Sequence, residues 1–176
     1  MQQPVSHLQN GQHLWLSSER CLFWEENKSL IVSDLHFGKT GHFGKEGIAI
    51  PQDIYKEDLQ RLVQQIQFFQ PESLIVVGDM FHSRLNLELE FFKKWRQDFP
   101  NLSIHLIKGN HDILQDEWYQ KAELTVYADH LAMKPFSFTH DINGLTSFSE
   151  DPSVYHFSGH IHPGVLVHGG GRQSLR

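Results

Sequence analysis

Leu74-Ile75-Val76-Val77-Gly78-Asp79 is the stretch from which the fold can be read. Four consecutive apolar residues, three of them β-branched, end abruptly in Gly-Asp. A strand covered on both faces therefore runs straight into a polar loop. The pattern recurs on either side. Ser29-Leu30-Ile31-Val32 leads into Ser33-Asp34-Leu35-His36, and Ile104-His105-Leu106-Ile107 leads toward Gly109-Asn110-His111-Asp112. Amphipathic stretches separate the three. Pro51 marks a helix start, Leu59, Leu62, Val63, Ile66 and Phe69 follow at helical spacing, and Pro71 ends the run. Asn86 is placed to cap a second helix whose inner face is Leu89, Phe92, Trp95 and Phe99. Strands alternating with helices in this way specify an α/β fold.

Outward from this centre the pattern becomes strand-rich. Leu14 to Leu16 and Cys21 to Trp24 read as two early strands, with a polar turn over Ser17 to Arg20 and a polar segment from Met1 to Gly11 before them. Further strands are expected at Leu124–Tyr127, His130–Met133, Phe136–Thr139, Val154–Phe157 and Val165–His168. Phe68-Phe69, Phe91-Phe92 and Trp95 fall at helical spacing and are expected in the core, not on a base-stacking surface.

At 176 residues the chain fits one domain, spanning 1–176, and is long enough to bury a core without covalent staples. One cysteine, Cys21, excludes an internal disulfide framework and the Cys-rich zinc folds; a buried structural thiol is expected. Fifteen basic against 21 acidic residues give a net charge of −6, with no basic arm, which argues against a general nucleic-acid coat. No run approaches the roughly 20 apolar residues of a membrane span, and Met1–Gly11 lacks the basic start and apolar run of a signal peptide. The expected location is the cytoplasm. Thirteen histidines stand out, and their positions matter more than their number.

Asp34 and His36, Asp79, then Asn110, His111 and Asp112 follow the three central strands, His140 follows Phe136–Thr139, and His160 and His162 follow Val154–Phe157. Ligand sites of open α/β sheets collect outside the carboxyl ends of the strands, so five segments converge on one rim. A donor set of Asp, Asn and His without thiolate suits Mn, Fe, Zn, Ni or Co in open sites, not a closed structural zinc. A carboxylate such as Asp79 can bridge two cations, and metal pairs about 3.5–4 Å apart serve phosphoryl chemistry.

In these residues (Asp34-x-His36, Gly78-Asp79, Gly109-Asn110-His111-Asp112, His140 and Gly159-His160-x-His162) the sequence resembles the calcineurin-like metallophosphoesterase superfamily. The resemblance covers about residues 30 to 165 and implies a four-layer α/β/β/α sandwich with a dinuclear site. It further implies that Asp34, His36, Asp79 and His162 hold one metal, most often manganese in this superfamily. Asp79, Asn110, His140 and His160 would hold the other. His111 would stand beside the metals, donating a proton to the leaving oxygen or a hydrogen bond to a phosphoryl oxygen, and Asp112 would orient that imidazole. The residues alone leave a second role for Asp112, as N-cap of a helix from Ile113.

Ser33 to Lys39, Gly47-Ile48-Ala49-Ile50-Pro51, Gly78 to Ser83, Gly159 to Pro163 and Gly171 to Arg176 are similar to the bacterial ligase-associated (PdeM-like) branch of DNA-repair phosphoesterases. That resemblance implies a DNA phosphodiester substrate, an ATP-dependent DNA ligase and a nuclease as partners, and a further C-terminal segment beyond Arg176. His42 and His82 are candidates for touching substrate or a site water, with an ordinary loop role as the alternative. Lys39, Lys45, Arg84 and Arg172 are candidates for gripping phosphate, with solvated surface charge as theirs. His7, His13, His105, His130 and His156 need no function, and His168 is left open. Two other functions share the motifs: a small-molecule phosphohydrolase, and a non-catalytic scaffold on the same fold.

Overall fold

A computed structural model describes residues 2–37, 53–81, 87–143, 151–161, 167–168 and 174–175. Strands β1 (Val5–Gln9), β2 (Gln12–Ser17), β3 (Cys21–Trp24) and β4 (Ser29–Val32) form an antiparallel meander. From β4 onward the pairing becomes parallel, through β5 (Ser73–Val77), β6 (Ser103–Ile107) and β7 (Leu124–Tyr127). The crossovers between them carry α1 (Asp53–Phe69), α2 (Leu87–Gln97) and α3 (Asp116–Lys121). The result is a seven-stranded mixed sheet in sequential order β1 to β7.

Alternation along each strand divides the core in two. Leu30 and Val32, Leu74 and Val76, and Ile104 and Leu106 face the helices. They meet Leu62 and Ile66 of α1, Leu89, Phe92 and Trp95 of α2, and Trp118 and Tyr119 of α3. Ile31, Ile75, Val77 and Ile107 face the other way. There they pack on Leu131, Phe136 and Phe138 of a second sheet, built from β8 (His130–Met133), β9 (Phe136–Thr139) and β10 (Tyr155–Ser158) in the order β10-β9-β8. Both faces of the central strands are thus covered, which is why they read as unbroken apolar runs. Among the described residues the three helices, the mixed sheet and the small sheet form successive layers, and no helix lies on the far face of the small sheet. Two short strands, β11 (Val167–His168) and β12 (Ser174–Leu175), pair antiparallel.

Three expectations need correction. The first strand is β1, not Leu14–Leu16: Asn10 and Gly11, with φ of 52° and 74°, make the two-residue turn of a hairpin. The helix expected from Ile113 begins at Asp116, with Gln115 at its N-cap, so Asp112 caps nothing. Phe68 and Phe91 are 55% and 52% exposed, because neighbours in a helix point about 100° apart and only Phe69 and Phe92 can turn inward. Of the strand expected over Val165–His168, only Val167–His168 falls among the described residues. Cys21 is buried as expected, and burial pushes its thiol up to about 11.

Candidate metal centre

The parallel ladder does not stop where the strands do. Asp34 N–H donates to Gly78 O (3.1 Å), His36 N–H to Asp79 O (2.8 Å) and Phe37 N–H to Met80 O (2.8 Å). Phe37 and Phe81, both buried, close this zipper as a parallel bridge. The loop after β4 is therefore held against the loop after β5, and the chain turns sharply within it. Asp34, His36 and Asp79 have φ of 53°, 50° and 50°, as does His160 at 64° on the loop after β10. Left-handed conformations at non-glycine residues cluster at functional sites, where the surroundings hold them.

The loop after β6 is tied to the same rim by two carboxylates. Asp79 Oδ1 accepts the His111 N–H at 2.9 Å. Asp112, buried, accepts the N–H groups of Phe81 (2.9 Å), Gly109 (2.9 Å) and Met80 (3.4 Å). Burial raises the Asp112 pKa and the nearby Asp79 charge adds to that, while the three N–H donors pull it down. Its hydrogen bonds go to main chain, and it works as a clasp between loops. Glycines make the approach possible. A Cβ on Gly109 would lie 2.2 Å from Asp79 Oδ1, and one on Gly78, which has φ 79°, would lie 2.1 Å from His140 Nδ1.

These contacts gather the donors in two groups. Asp34, His36 and Asp79 each bring one ligand atom within 4.8 Å of the others, and so do Asp79, His140 and His160. Asp79 is common to both. The His36 and His111 rings lie 5.4 Å apart, and the His140 and His160 rings 5.1 Å apart. His140 Nδ1 lies 3.1 Å from Val77 O, which only accepts, so the ring proton is on Nδ1. Its Nε2 then faces Asp79 Oδ2 and Asn110 Oδ1 (in the assigned amide orientation), each at 3.3 Å. Nε2 and the two oxygens converge on one point, and an imidazole nitrogen with carboxylate and amide oxygens is a donor set that fits a divalent metal.

Asp34, His36, Asp79, Asn110, His111, Asp112, His140 and His160 all reach this rim. Lys39, His42, Lys45, His82, Arg84, His162 and Arg172 lie outside the described residues. The structure adds one residue that the motifs did not single out. Lys108, directly before Gly109, lines a cavity of about 200 Å³ together with Asn110, Asp129, His140, Asp141 and His160. Its ammonium lies 3.0 Å from Asp116 and 5.0 Å from the centre of the Tyr119 ring. Its place at the carboxyl end of β6 was the available signal.

Residues 28–174 match the family model of calcineurin-like phosphoesterases. Among solved structures, the crystal structure of Pseudomonas putida nuclease MPE is similar: the TM-score is 0.74 at 27% identity, over 98% of this chain and 78% of that one. No curated protein matches the chain.

Proposed function

The chain belongs to the calcineurin-like phosphoesterases, hydrolases of phosphoester bonds that use divalent metals, and within that family we propose that it is a two-metal phosphodiesterase acting on DNA. The observation that carries this reading is the pair of donor groups sharing Asp79 at one rim. Similarity to a nuclease supports the diester substrate. The sequence flanks that resemble the ligase-associated branch support a role in DNA repair, in the cytoplasm, beside an ATP-dependent ligase and a nuclease. Among the described residues no helix is long and apolar enough to cross a membrane.

Asp34, His36, Asp79 and His162 would hold one ion, and Asp79, Asn110, His140 and His160 the other, manganese being the proposed metal ahead of Fe, Zn, Ni or Co. Bound there, the pair supplies Lewis-acid charge for an in-line displacement at phosphorus. The chain's own residues do the rest. The Asp79 carboxylate holds the His111 backbone, and with it an imidazole beside His36. From that place His111 delivers a proton to the leaving oxygen. Asp112 keeps the His111 loop at the right height by clasping Gly109 to Phe81.

The test is a substrate panel with the Mn²⁺-loaded chain: single-stranded and nicked DNA, bis-p-nitrophenyl phosphate, and p-nitrophenyl phosphate. Diesters should be hydrolysed faster than the monoester. An overwhelming preference for the monoester would overturn the reading in favour of a small-molecule phosphohydrolase, and no turnover of any substrate would favour a scaffold. His111→Ala should keep two metals per chain and lose about 10²–10⁴-fold in kcat. Unchanged kcat, or lost metal, would remove His111 from this role.

A further inference from the structure

We propose that a small cleft beside Asp34, walled by Arg20 and Arg61, binds the phosphate next to the scissile one along the substrate strand. The proposal rests on the phosphodiesterase reading and names how that site would recognise a polymer.

Topology places the cleft. β3 runs antiparallel to β4, with Leu22 opposite Ile31, so the turn before Cys21 stands at the carboxyl end of β4. The Glu19-Arg20 segment therefore rises on the same rim as Asp34, although 13 residues separate Arg20 from it in sequence. Arg61 reaches the same place from α1. Between them lies a cavity of about 80 Å³ lined by Glu19, Arg20, Ser33, Asp34, Arg61 and Gln65, among others. That is room for more than a single water molecule, and so for a tetrahedral oxyanion.

Charge points the same way. On a chain of net charge −6, two arginines line one cleft at the edge of the candidate metal centre, together with Glu19 and Asp34. Among the described residues Arg20 is exposed and has no carboxylate partner. Arg61 Nε lies 3.2 Å from Glu19 Oε2, both side chains about 30% exposed, an ion pair that an arriving phosphate would compete for. Planar guanidinium groups bind phosphate oxygens in pairs. A strand carries a phosphate about every 3.4 Å of rise, so a polymer held at the metals necessarily presents its next phosphate nearby. A small diester has none to present.

The experiment compares kcat/KM for a single-stranded oligodeoxynucleotide with that for bis-p-nitrophenyl phosphate, using the full chain with Mn²⁺. Arg20→Gln and Arg61→Gln should each lower the oligonucleotide-to-small-diester ratio about tenfold and flatten the salt dependence of oligonucleotide binding by about one ion. Glu19→Gln removes one carboxylate that competes with phosphate for Arg61 and should raise the ratio. Lys28→Gln removes a charge paired with Glu72 at the opposite end of β4, and should leave the ratio alone. If both diesters are cleaved and the ratio stays within about twofold of wild type in the arginine variants, the subsite is wrong. The same holds if Arg61→Gln and Glu19→Gln lose stability alike while the ratio stays put, as a purely structural ion pair requires. If the wild-type chain cleaves neither diester, the phosphodiesterase reading falls, and the subsite with it.

Discussion

Replacing Asp112 separates two roles that its neighbourhood suggests. As an orienter of His111, its charge would matter and its shape would not. As a clasp, what matters is the pair of oxygens facing three main-chain donors. Asp112→Ala leaves the N–H groups of Phe81 and Gly109, both bonded at 2.9 Å, without a partner; the Met80 bond at 3.4 Å adds little. An unsatisfied buried donor costs about 1–3 kcal/mol, so the two good bonds are worth about 2–6 kcal/mol together. Burial of the carboxylate, seen in its raised pKa, returns part of this on removal. A net loss of about 2–4 kcal/mol follows. Asp112→Asn is the sharper probe. Its one oxygen can replace Oδ1 or Oδ2 but not both, so its NH₂ points at the Phe81 or the Gly109 N–H, and it should cost about as much as alanine. The assay is urea unfolding in chelator at pH 7, reading the midpoint with the slope unchanged, followed by Mn²⁺ titration of the folded variants. Because the clasp holds the His111–Asp79 contact, metal affinity should fall about 10–100-fold. An Asp112→Asn protein within about 0.5 kcal/mol of wild type would refute the clasp.

Gly109→Ala puts a methyl group 2.2 Å from Asp79 Oδ1 and 2.5 Å from the Asp79 backbone nitrogen, neither of which can yield cheaply. Stability should fall by about 1–3 kcal/mol and Mn²⁺ binding should weaken; equal metal affinity in calorimetry would show that the loops are looser than they look. His105, half-buried in β6 with Nδ1 3.1 Å from the Tyr127 hydroxyl, has its pKa lowered by burial. A histidine lowered in the folded state is protonated first in the unfolded chain. Its contribution is therefore whole above the ordinary imidazole value of about 6.5 and is lost as pH falls below it. Thermal melts from pH 8 to 5 should show less acid loss in His105→Asn than in wild type, and parallel curves would contradict the assignment.

The rim was legible because covered strands announce themselves. Leu74 to Val77 cannot be anything but buried, and whatever follows such a strand stands at its carboxyl end. Features set by contacts across the sheet were not legible. Asp112 before Ile113-Leu114 looks like a helix start, yet its carboxylate is drawn to Phe81, 31 residues away. β1 carries the hairpin signal Asn10-Gly11, but Val5, Leu8 and their neighbours are mostly exposed, and the missing apolar alternation hid the strand. Arg20 and Arg61 acquire a common meaning only through the antiparallel register of β3 on β4.

The left-handed backbone at Asp34, His36, Asp79 and His160 bears on how the site binds. Each such residue costs about 1–3 kcal/mol wherever it occurs. An isolated loop would relax, and a ligand would have to restore the shape at the expense of its own affinity. Here the cost is met within the fold: Asp34, His36 and Phe37 are hydrogen-bonded to the loop after β5, and the rings of Phe37 and Phe81 are buried beneath them. The donors stand ready at strained angles because the core beneath the two loops, including Leu30, Val32, Leu74, Val76 and Phe92, holds them together. Substitutions in that core should therefore be felt at the site as weaker binding before they are felt as unfolding, since a rim released by a fraction of an ångström loses its convergence while the sheet below remains paired.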